Sequence, residues 1–460
     1  MAAPHYFDSA TRRAVLGGIG ALGAGSIGLT ASRAGSSNID VVIVGAGAAG
    51  IGAAIRLQKA GFRCRIVEAA SRVGGRALTD TTTFRRADGS PIAFDIGCAW
   101  IHRYGDSDPF TQWSRKYRFE TQVHDLEVTR LAYGPTRYSE SMVKLLGRYE
   151  TDLKKIMEKS RDVAANRIVP SWQRPMDAAA TYMGPMDMTV DFDELSTADF
   201  VAMADYDPNY LVREGYGTLV KYVALQNSLD IALRTSVTQI DTRGAGVQVS
   251  TDNAGTIDAK AAIVTVSTGV LAKNNIRFLP DLPAATQNAI ADLPMGLMAK
   301  IPLQLPGVNH YIDGIQPYDN VVDEGDALND IYFLAWPWDS DLMVGFVGGK
   351  FAWELSRLGQ AAAIDFAKQK LVDLFGSDIA PRVTAGLMTP WATDPLVLGA
   401  YSAAKPGKHA SRAVLARPIQ KKLYFAGEAT GPKGMFATCS GAYMAGWDAA
   451  EKIARKFRPG

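Results

Sequence analysis

Apolar and polar positions divide this chain into stretches of different rhythm. Residues 40–44, Asp-Val-Val-Ile-Val, form a β-branched run of the length taken by a strand buried on both faces. Residues 46–60 carry a helical pattern, and residues 64–67 a second short strand. From 106 to about 225 the pattern is mainly helical. Met142, Leu145, Leu146, Tyr149, Leu153, Ile156 and Met157 recur at helical spacing, which predicts a core stripe. Strand patterns return at 233–240, 247–250 and 262–266, with polar turns between them. Two further strand-like runs, 331–336 and 342–347, are separated by Pro337, Trp338 and Asp339, and their aromatics are expected in the core. The chain closes on a helix ending near Lys456.

The join between the first strand and the first helix carries chemistry. Gly45, Gly47 and Gly50 stand in G-x-G-x-x-G spacing. The first glycine permits the turn, the second lets a pyrophosphate approach the backbone, and the third lets helix and strand pack closely. The helix then starts with free N–H groups and a positive dipole end facing the phosphates. Glu68 ends the second strand about 20 residues past the glycines, where a carboxylate can accept hydrogen bonds from ribose hydroxyls. Its charge would repel a 2′-phosphate, which argues against NADP. The pattern predicts a dinucleotide without choosing NAD or FAD.

Composition changes this picture little. The 460 residues are 47% hydrophobic and 21% charged, with a formal net charge of +2, so nothing suggests a nucleic-acid surface. Three cysteines, Cys64, Cys98 and Cys439, do not make a disulfide framework, and Cys64 is expected as a small buried hydrophobe. The five histidines show no H-E-x-x-H spacing, so a metal site is not expected. Residues 1–34 read as an export signal. Arg12 and Arg13 precede a mildly apolar, Gly- and Ala-rich run, and Ser32-Arg33-Ala34 offers a cleavage point. Paired arginines fit a twin-arginine signal, and hence a periplasmic or secreted protein exported folded with its cofactor and without a stable membrane anchor.

Further along, Arg72-Val73-Gly74-Gly75-Arg76 can offer N–H groups and a guanidinium to a second phosphate. Phe94-Asp95-Ile96-Gly97-Cys98-Ala99-Trp100-Ile101-His102 combines small residues that let backbone approach a flat ring. Near the C-terminus stand Leu423-Tyr424-Phe425-Ala426-Gly427-Glu428-Ala429-Thr430 and Ala437-Thr438-Cys439-Ser440-Gly441-Ala442. Together these motifs resemble the flavin-containing amine oxidases, the group with monoamine oxidases, polyamine oxidases and histone lysine demethylases. The resemblance covers most of residues 38–456.

What the resemblance implies is specific. The cofactor is FAD, held by Gly45, Gly47, Ala48, Ala49, Gly50, Glu68, Ala69, Gly75, Arg76, Gly97, Ala99, Trp100, Val237, Trp391, Glu428 and Thr438. The fold is a Rossmann-like α/β FAD-binding domain (38–105, 226–285 and 392–458) interleaved with an α+β substrate domain (106–225 and 286–391). The runs at 331–336 and 342–347 are then a sheet over the substrate cavity. The glycines of Glu214-Gly215-Tyr216-Gly217 suggest a tight approach beside flavin or substrate. Lys300, in Met295-Gly296-Leu297-Met298-Ala299-Lys300, reads locally as a surface lysine at a strand start. The family's G-x-x-x-K element makes it catalytic instead, beside the flavin and bridged to it by water. Tyr401 matches one wall of an aromatic cage that guides the amine. His102, Phe436, Thr438 and Tyr401 are candidate substrate contacts, as are Glu214 and Asp323.

Three departures qualify the resemblance. Ala400 stands where monoamine oxidases bind flavin through a cysteine, so non-covalent FAD is expected. Thr438 replaces the second cage tyrosine, which leaves the cage half open. Arg103 stands where a glycine is common, and its charge near the entrance would repel a polycation. The activity implied is oxidation of an amine C–N bond to an imine, hydrolysed to aldehyde plus amine or ammonia, with oxygen reduced to hydrogen peroxide. Two alternatives stay open: a flavin dehydrogenase or cyclic-amine oxidase passing electrons to a protein acceptor, and a flavin-bound interaction protein without chemistry.

Overall fold

The structure, a computed structural model, describes residues 39–124, 131–133, 136–137, 140–168, 180–203, 208–307, 312, 315–322 and 331–460. The signal-like segment 1–34, Asp323 and the side chains of Met142, Leu145 and Leu146 lie outside the described residues.

Val41–Val44 is the central strand of a five-stranded parallel sheet. It pairs with Cys64–Val67 on one side and Ala261–Val264 on the other. Ile231–Ala232 and Leu423–Phe425 complete the two edges. Parallel strands need both faces covered, and every residue of Val41–Val44 and of Ala261–Val264 is buried. Val41, Ile43, Ile66, Ala261 and Ile263 pack under the helices Ala48–Lys59 and Cys439–Lys456. Val42, Val44, Val67 and Ala262 pack on the other face with Ile240 and Val249, from a four-stranded sheet that crosses above. Cutting Ile263 to alanine would cost about 2–5 kcal/mol, because rigid strands on both sides prevent collapse of the cavity.

The glycine loop works as its spacing predicts. Gly45 takes φ +108°, and a Cβ on Gly50 would stand 2.0 Å from the Gly45 carbonyl oxygen, so the third glycine serves helix–strand packing. Cys64 is buried, and that burial pushes its thiol up to about 12.

Residues 233–240 are not one strand. Ile231–Ala232 belongs to the parallel sheet and Val237–Asp241 to the four-stranded sheet. Arg234, at φ +52°, interrupts the extended backbone between them.

A seven-stranded sheet holds the order Ala385–Gly386, Met298–Gln304, Leu342–Gly348, Tyr332–Ala335, Asn320–Val322, Leu131–Tyr133, Thr136–Arg137. Alternation sorts its side chains. Ala299, Ile301, Leu303, Val347 and Phe333 face a core built with the helices Gly349–Leu358 and Gln360–Phe375. Lys300 lies opposite Phe346, and Phe346 opposite Tyr332, so the three form a row on the other face. In the helix Glu140–Glu158, Leu153 and Met157 are buried as the helical spacing predicts, but Ile156 faces solvent.

Candidate active site

The row Lys300–Phe346–Tyr332 forms part of the wall of a cavity of about 570 Å³ that runs back to the glycine loop. Two halves can be distinguished by chemistry.

At the nucleotide end the wall includes Gly45, Gly47, Ala48, Ala49, Glu68, Ala69, Gly75 and Arg76, and Val237 lines it as well. The helix Ala48–Lys59 has no side-chain cap at Gly47 and no acidic residue in its first turn. Its first N–H groups are therefore left for an anion. Glu68 accepts hydrogen bonds from the Ala46 N–H (2.6 Å) and the Ala70 N–H (2.7 Å), which fix a carboxylate with acceptor capacity to spare. Arg72 donates to the Gly75 carbonyl (2.7 Å) and so braces the second glycine pair. These donors and this carboxylate fit the pyrophosphate and ribose of FAD. Gly50 does not reach the cavity.

In the middle, Gly97, Ala99, Trp100, Trp391, Glu428 and Thr438 contribute to the wall. The Trp391 indole N–H donates to the Ile96 carbonyl at 3.1 Å. Glu428 accepts from Arg76 Nη1 (3.0 Å), the Ser402 N–H (3.1 Å) and Ser402 Oγ (2.7 Å). Thr438 caps the C-terminal helix: its Oγ1 accepts from the Gly441 N–H (2.9 Å) and donates to the Met435 carbonyl (2.8 Å). Its hydroxyl hydrogen is thus engaged within the fold.

Lys300 is only 4% exposed, against the local reading of a surface residue. Its Nζ donates to the carbonyls of Asp95 (2.8 Å) and Gly97 (2.5 Å) and lies 5.6 Å from the Trp100 ring centre. Burial disfavours the ammonium and lowers its pKa from 10.5 to about 8, against the pull of the Asp95 charge. The Asp95 carboxylate faces the other way, accepting from Thr79 Oγ1 (2.6 Å) and from the N–H groups of Tyr216 and Gly217 at a helix start.

Tyr401 donates its hydroxyl to the backbone carbonyls of Met186 (3.2 Å) and Asp187 (2.9 Å), which holds its ring at the wall. His102 reaches the wall with Nδ1 2.6 Å from Asn209 Oδ1, and burial lowers its pKa to about 4. It is a neutral ring at physiological pH. The Trp100 indole can only donate, and it points at His124 Nδ1 at 2.9 Å. A neutral His124 therefore carries its proton on Nε2.

Several expectations are corrected. Phe436 does not line the cavity; its ring lies 4.7 Å from the Arg412 guanidinium carbon, in a core with Leu153 and Met157. Gly215 and Gly217 approach Thr79 and Leu78 rather than a bound molecule, and a Cβ on either would fall 2.3–2.5 Å from them. Glu214 caps the Glu120 N–H away from the cavity, at 3.1 Å. Arg103 is exposed and is not part of the cavity wall; the nearest approach to Gly434 is through its Nη1. Conversely, Tyr332 and Phe346 line the cavity where core packing was expected. Asp187, Asn320, His124 and Met186 also line it, and no motif marks them in the sequence.

The fold and this wall together define a class, and comparison with known proteins defines it further. The model of flavin-containing amine oxidoreductases matches residues 194–454, and that of NAD(P)-binding Rossmann-like domains matches residues 43–117. The chain belongs to the flavin-containing amine oxidoreductase family and is an FAD-dependent enzyme acting on amines. It is 28% identical over 457 residues to polyamine oxidase 4 of Oryza sativa subsp. japonica, across 93% of this chain and 91% of that protein. It is 26% identical to lysine-specific histone demethylase 2 of Homo sapiens, across 91% of this chain but 53% of that protein. Cyclohexylamine oxidase from Brevibacterium oxydans IH-35A shares the fold with a TM-score of 0.75 at 20% identity, covering 91% of this chain and 99% of that one. A putrescine oxidase bound to putrescine gives 0.75 at 19% identity, with the same coverage.

Proposed function

We propose that the chain is an oxidase of aliphatic diamines or polyamines, with non-covalent FAD and with dioxygen as electron acceptor. The carrying observation is the pairing of Tyr401 with Asp187. The Tyr401 hydroxyl donates to the Asp187 backbone carbonyl at 2.9 Å, and both residues line the cavity, so an aromatic side chain and an acidic residue are neighbours on its wall. A face of this kind attracts an ammonium group. A carboxylate beside it suits a second ammonium on the same substrate. The polyamine oxidases among the relatives support this reading.

Bound FAD supplies the two-electron acceptor for the C–N bond. The chain supplies the rest. Tyr401, Tyr332 and Phe346 hold the carbon stem and limit water, and Asp187 meets the distal ammonium. The reacting nitrogen must be neutral to give up its lone pair. Two electrons and two protons leave the amine, giving an imine. Water adds to the imine and releases an aldehyde and an amine or ammonia. Dioxygen takes the two electrons and two protons as hydrogen peroxide. Lys300 holds a proton at Nζ where it can stabilise negative charge developing in the cavity.

Ala400 has no group to bond flavin, so FAD should leave the protein on acid precipitation. The cofactor-holding part comprises 38–105, 226–285 and 392–458, and the substrate part 106–225 and 286–391. Arg12 and Arg13 direct twin-arginine export of the folded enzyme to the periplasm or beyond. No helix among the described residues is long and apolar enough to cross a membrane.

The test is the visible spectrum of the holoenzyme under anaerobic conditions with putrescine, spermidine, benzylamine and cyclohexylamine. Bleaching by the first two, with oxygen consumed and peroxide formed on aeration, supports the reading. Bleaching by benzylamine or cyclohexylamine alone replaces it with oxidation of an apolar monoamine.

A further inference from the structure

Behind the cavity wall lies a buried guanidinium that the chemistry above does not use. Arg412 is 2% exposed, and all five of its N–H donors are engaged. Nε and Nη2 form a fork on the two oxygens of Asp199, both at 2.7 Å. Nη1 donates to Ser402 Oγ (3.0 Å) and to the Ala429 carbonyl (3.1 Å), and Nη2 also donates to the Ser402 carbonyl (3.0 Å). Asp199 accepts as well from the Ala404 N–H and from His409 Nδ1, both at 2.9 Å. The Phe436 ring covers the guanidinium.

Two of the groups Arg412 donates to adjoin residues of the site. Ser402 follows Tyr401 and Ala429 follows Glu428. Ser402 Oγ accepts from Arg412 and passes its own hydrogen to Glu428 Oε2 at 2.7 Å, while the Ser402 N–H binds Glu428 Oε1. Arg76 completes the carboxylate's shell at 3.0 Å. Asp199 itself sits on the helix Thr197–Met203, whose last residue reaches the cavity.

We propose that Arg412, anchored by Asp199, is a positioning residue that acts through Ser402 to orient the Glu428 carboxylate toward FAD. This rests on Glu428 being a cofactor-holding residue. A carboxylate with two free torsions beyond Cβ would otherwise turn toward Arg76 alone. The relay fixes both oxygens and keeps acceptor capacity on Oε2. One fork thereby sets two features of the site, the Glu428 carboxylate and the strand that carries Tyr401.

The experiment follows release of FAD from the holoenzyme by the rise of flavin fluorescence on dilution. The variants are Ser402→Ala, Glu428→Gln, their double and Arg412→Lys. Ser402→Ala deletes one oxygen and leaves the Arg412–Asp199 fork in place. Both single variants at the relay should release FAD at least about tenfold faster, the lower end of what one hydrogen bond to a charged group supplies. The double should release it no faster than Glu428→Gln alone, because the serine acts through the carboxylate. Arg412→Lys, which keeps charge but loses the fork, should also release faster. Multiplying effects in the double, or wild-type release from Ser402→Ala or Arg412→Lys beside an accelerated Glu428→Gln, overturns the relay. Wild-type release from Glu428→Gln instead overturns the placement of Glu428 at the cofactor, and the relay falls with it.

Discussion

Lys300 Nζ donates to the backbone carbonyl of Asp95 at 2.8 Å, while the Asp95 carboxylate turns away to cap a helix start. The lysine is thus held by neutral oxygens, with a carboxylate near enough to be felt but not in contact. Burial dominates and brings its pKa to about 8.

The first prediction concerns the pH profile. An ammonium with a pKa of about 8 loses its proton within the working range. The protonated lysine is the donor form, so kcat/KM should fall as pH rises through about 8. The substrate amine gives the opposite limb, since its neutral form is the reactive one. Lys300→Met should keep FAD, lose the basic limb and slow turnover by about tenfold or more. A basic limb that persists in this variant would remove Lys300 from the chemistry.

The second prediction separates the Tyr401 ring from its hydroxyl. The ring offers a face to the ammonium, and the hydroxyl ties that ring to the Met186 and Asp187 carbonyls. Tyr401→Ala should raise KM for amines about fivefold, the equivalent of roughly 1 kcal/mol of cation–π attraction. Tyr401→Phe keeps the face and should change KM by less than about twofold. Steady-state kinetics decide. Equal losses in both variants would assign the effect to the hydroxyl.

Asp187 provides the third. It is exposed at the cavity wall, so water screens its charge. Asp187→Asn should raise KM for putrescine by up to about fivefold, in line with roughly 0.2–1 kcal/mol for an exposed ion pair. KM for a monoamine of the same length should stay as it is. A uniform change for both substrates would mean that Asp187 shapes the wall without reading the second ammonium.

How far the sequence shows this site depends on how local each feature is. The strand, glycine turn, helix and Glu68 lie within thirty residues, and their roles follow from turn sterics and the free N–H groups of a helix start. Lys300 is legible only through family resemblance. Its strand does alternate, with Ala299, Ile301 and Leu303 on the core face, but nothing local says that the opposite face is covered. Phe346 and Tyr332 cover it, and pairing of distant strands brings them there. For the same reason the sequence does not place Gly215, Gly217 and Phe436. Thr79 and Leu78 approach the two glycines, and Arg412 lies against the phenylalanine ring. Residues 233–240 alternate like one strand, but the strand starts only at Val237, after Arg234 takes a positive φ.

The last prediction uses Asp199 and concerns stability. Burial alone would raise its pKa, but hydrogen bonds and charge from Arg412, with support from His409, outweigh burial and hold the carboxyl well below its ordinary 3.8. A carboxylate with a depressed folded-state pKa contributes stability that is complete above the unfolded value. That contribution is lost as pH falls through the folded one. Asp199→Asn removes the charge and leaves the Arg412 guanidinium buried with its partner neutral. The cost should be about 3–5 kcal/mol at pH 7. Denaturant unfolding of the holoenzyme at fixed FAD concentration, run from pH 7 downward, checks both parts. The gap between wild type and variant should hold steady from pH 7 to about 5 and narrow below 3.8, as the wild type loses what the variant never had. A gap of the same size throughout the acid range would show that the variant fails through packing alone, and that the charge of Asp199 does not stabilise the fork behind Ser402 and Glu428.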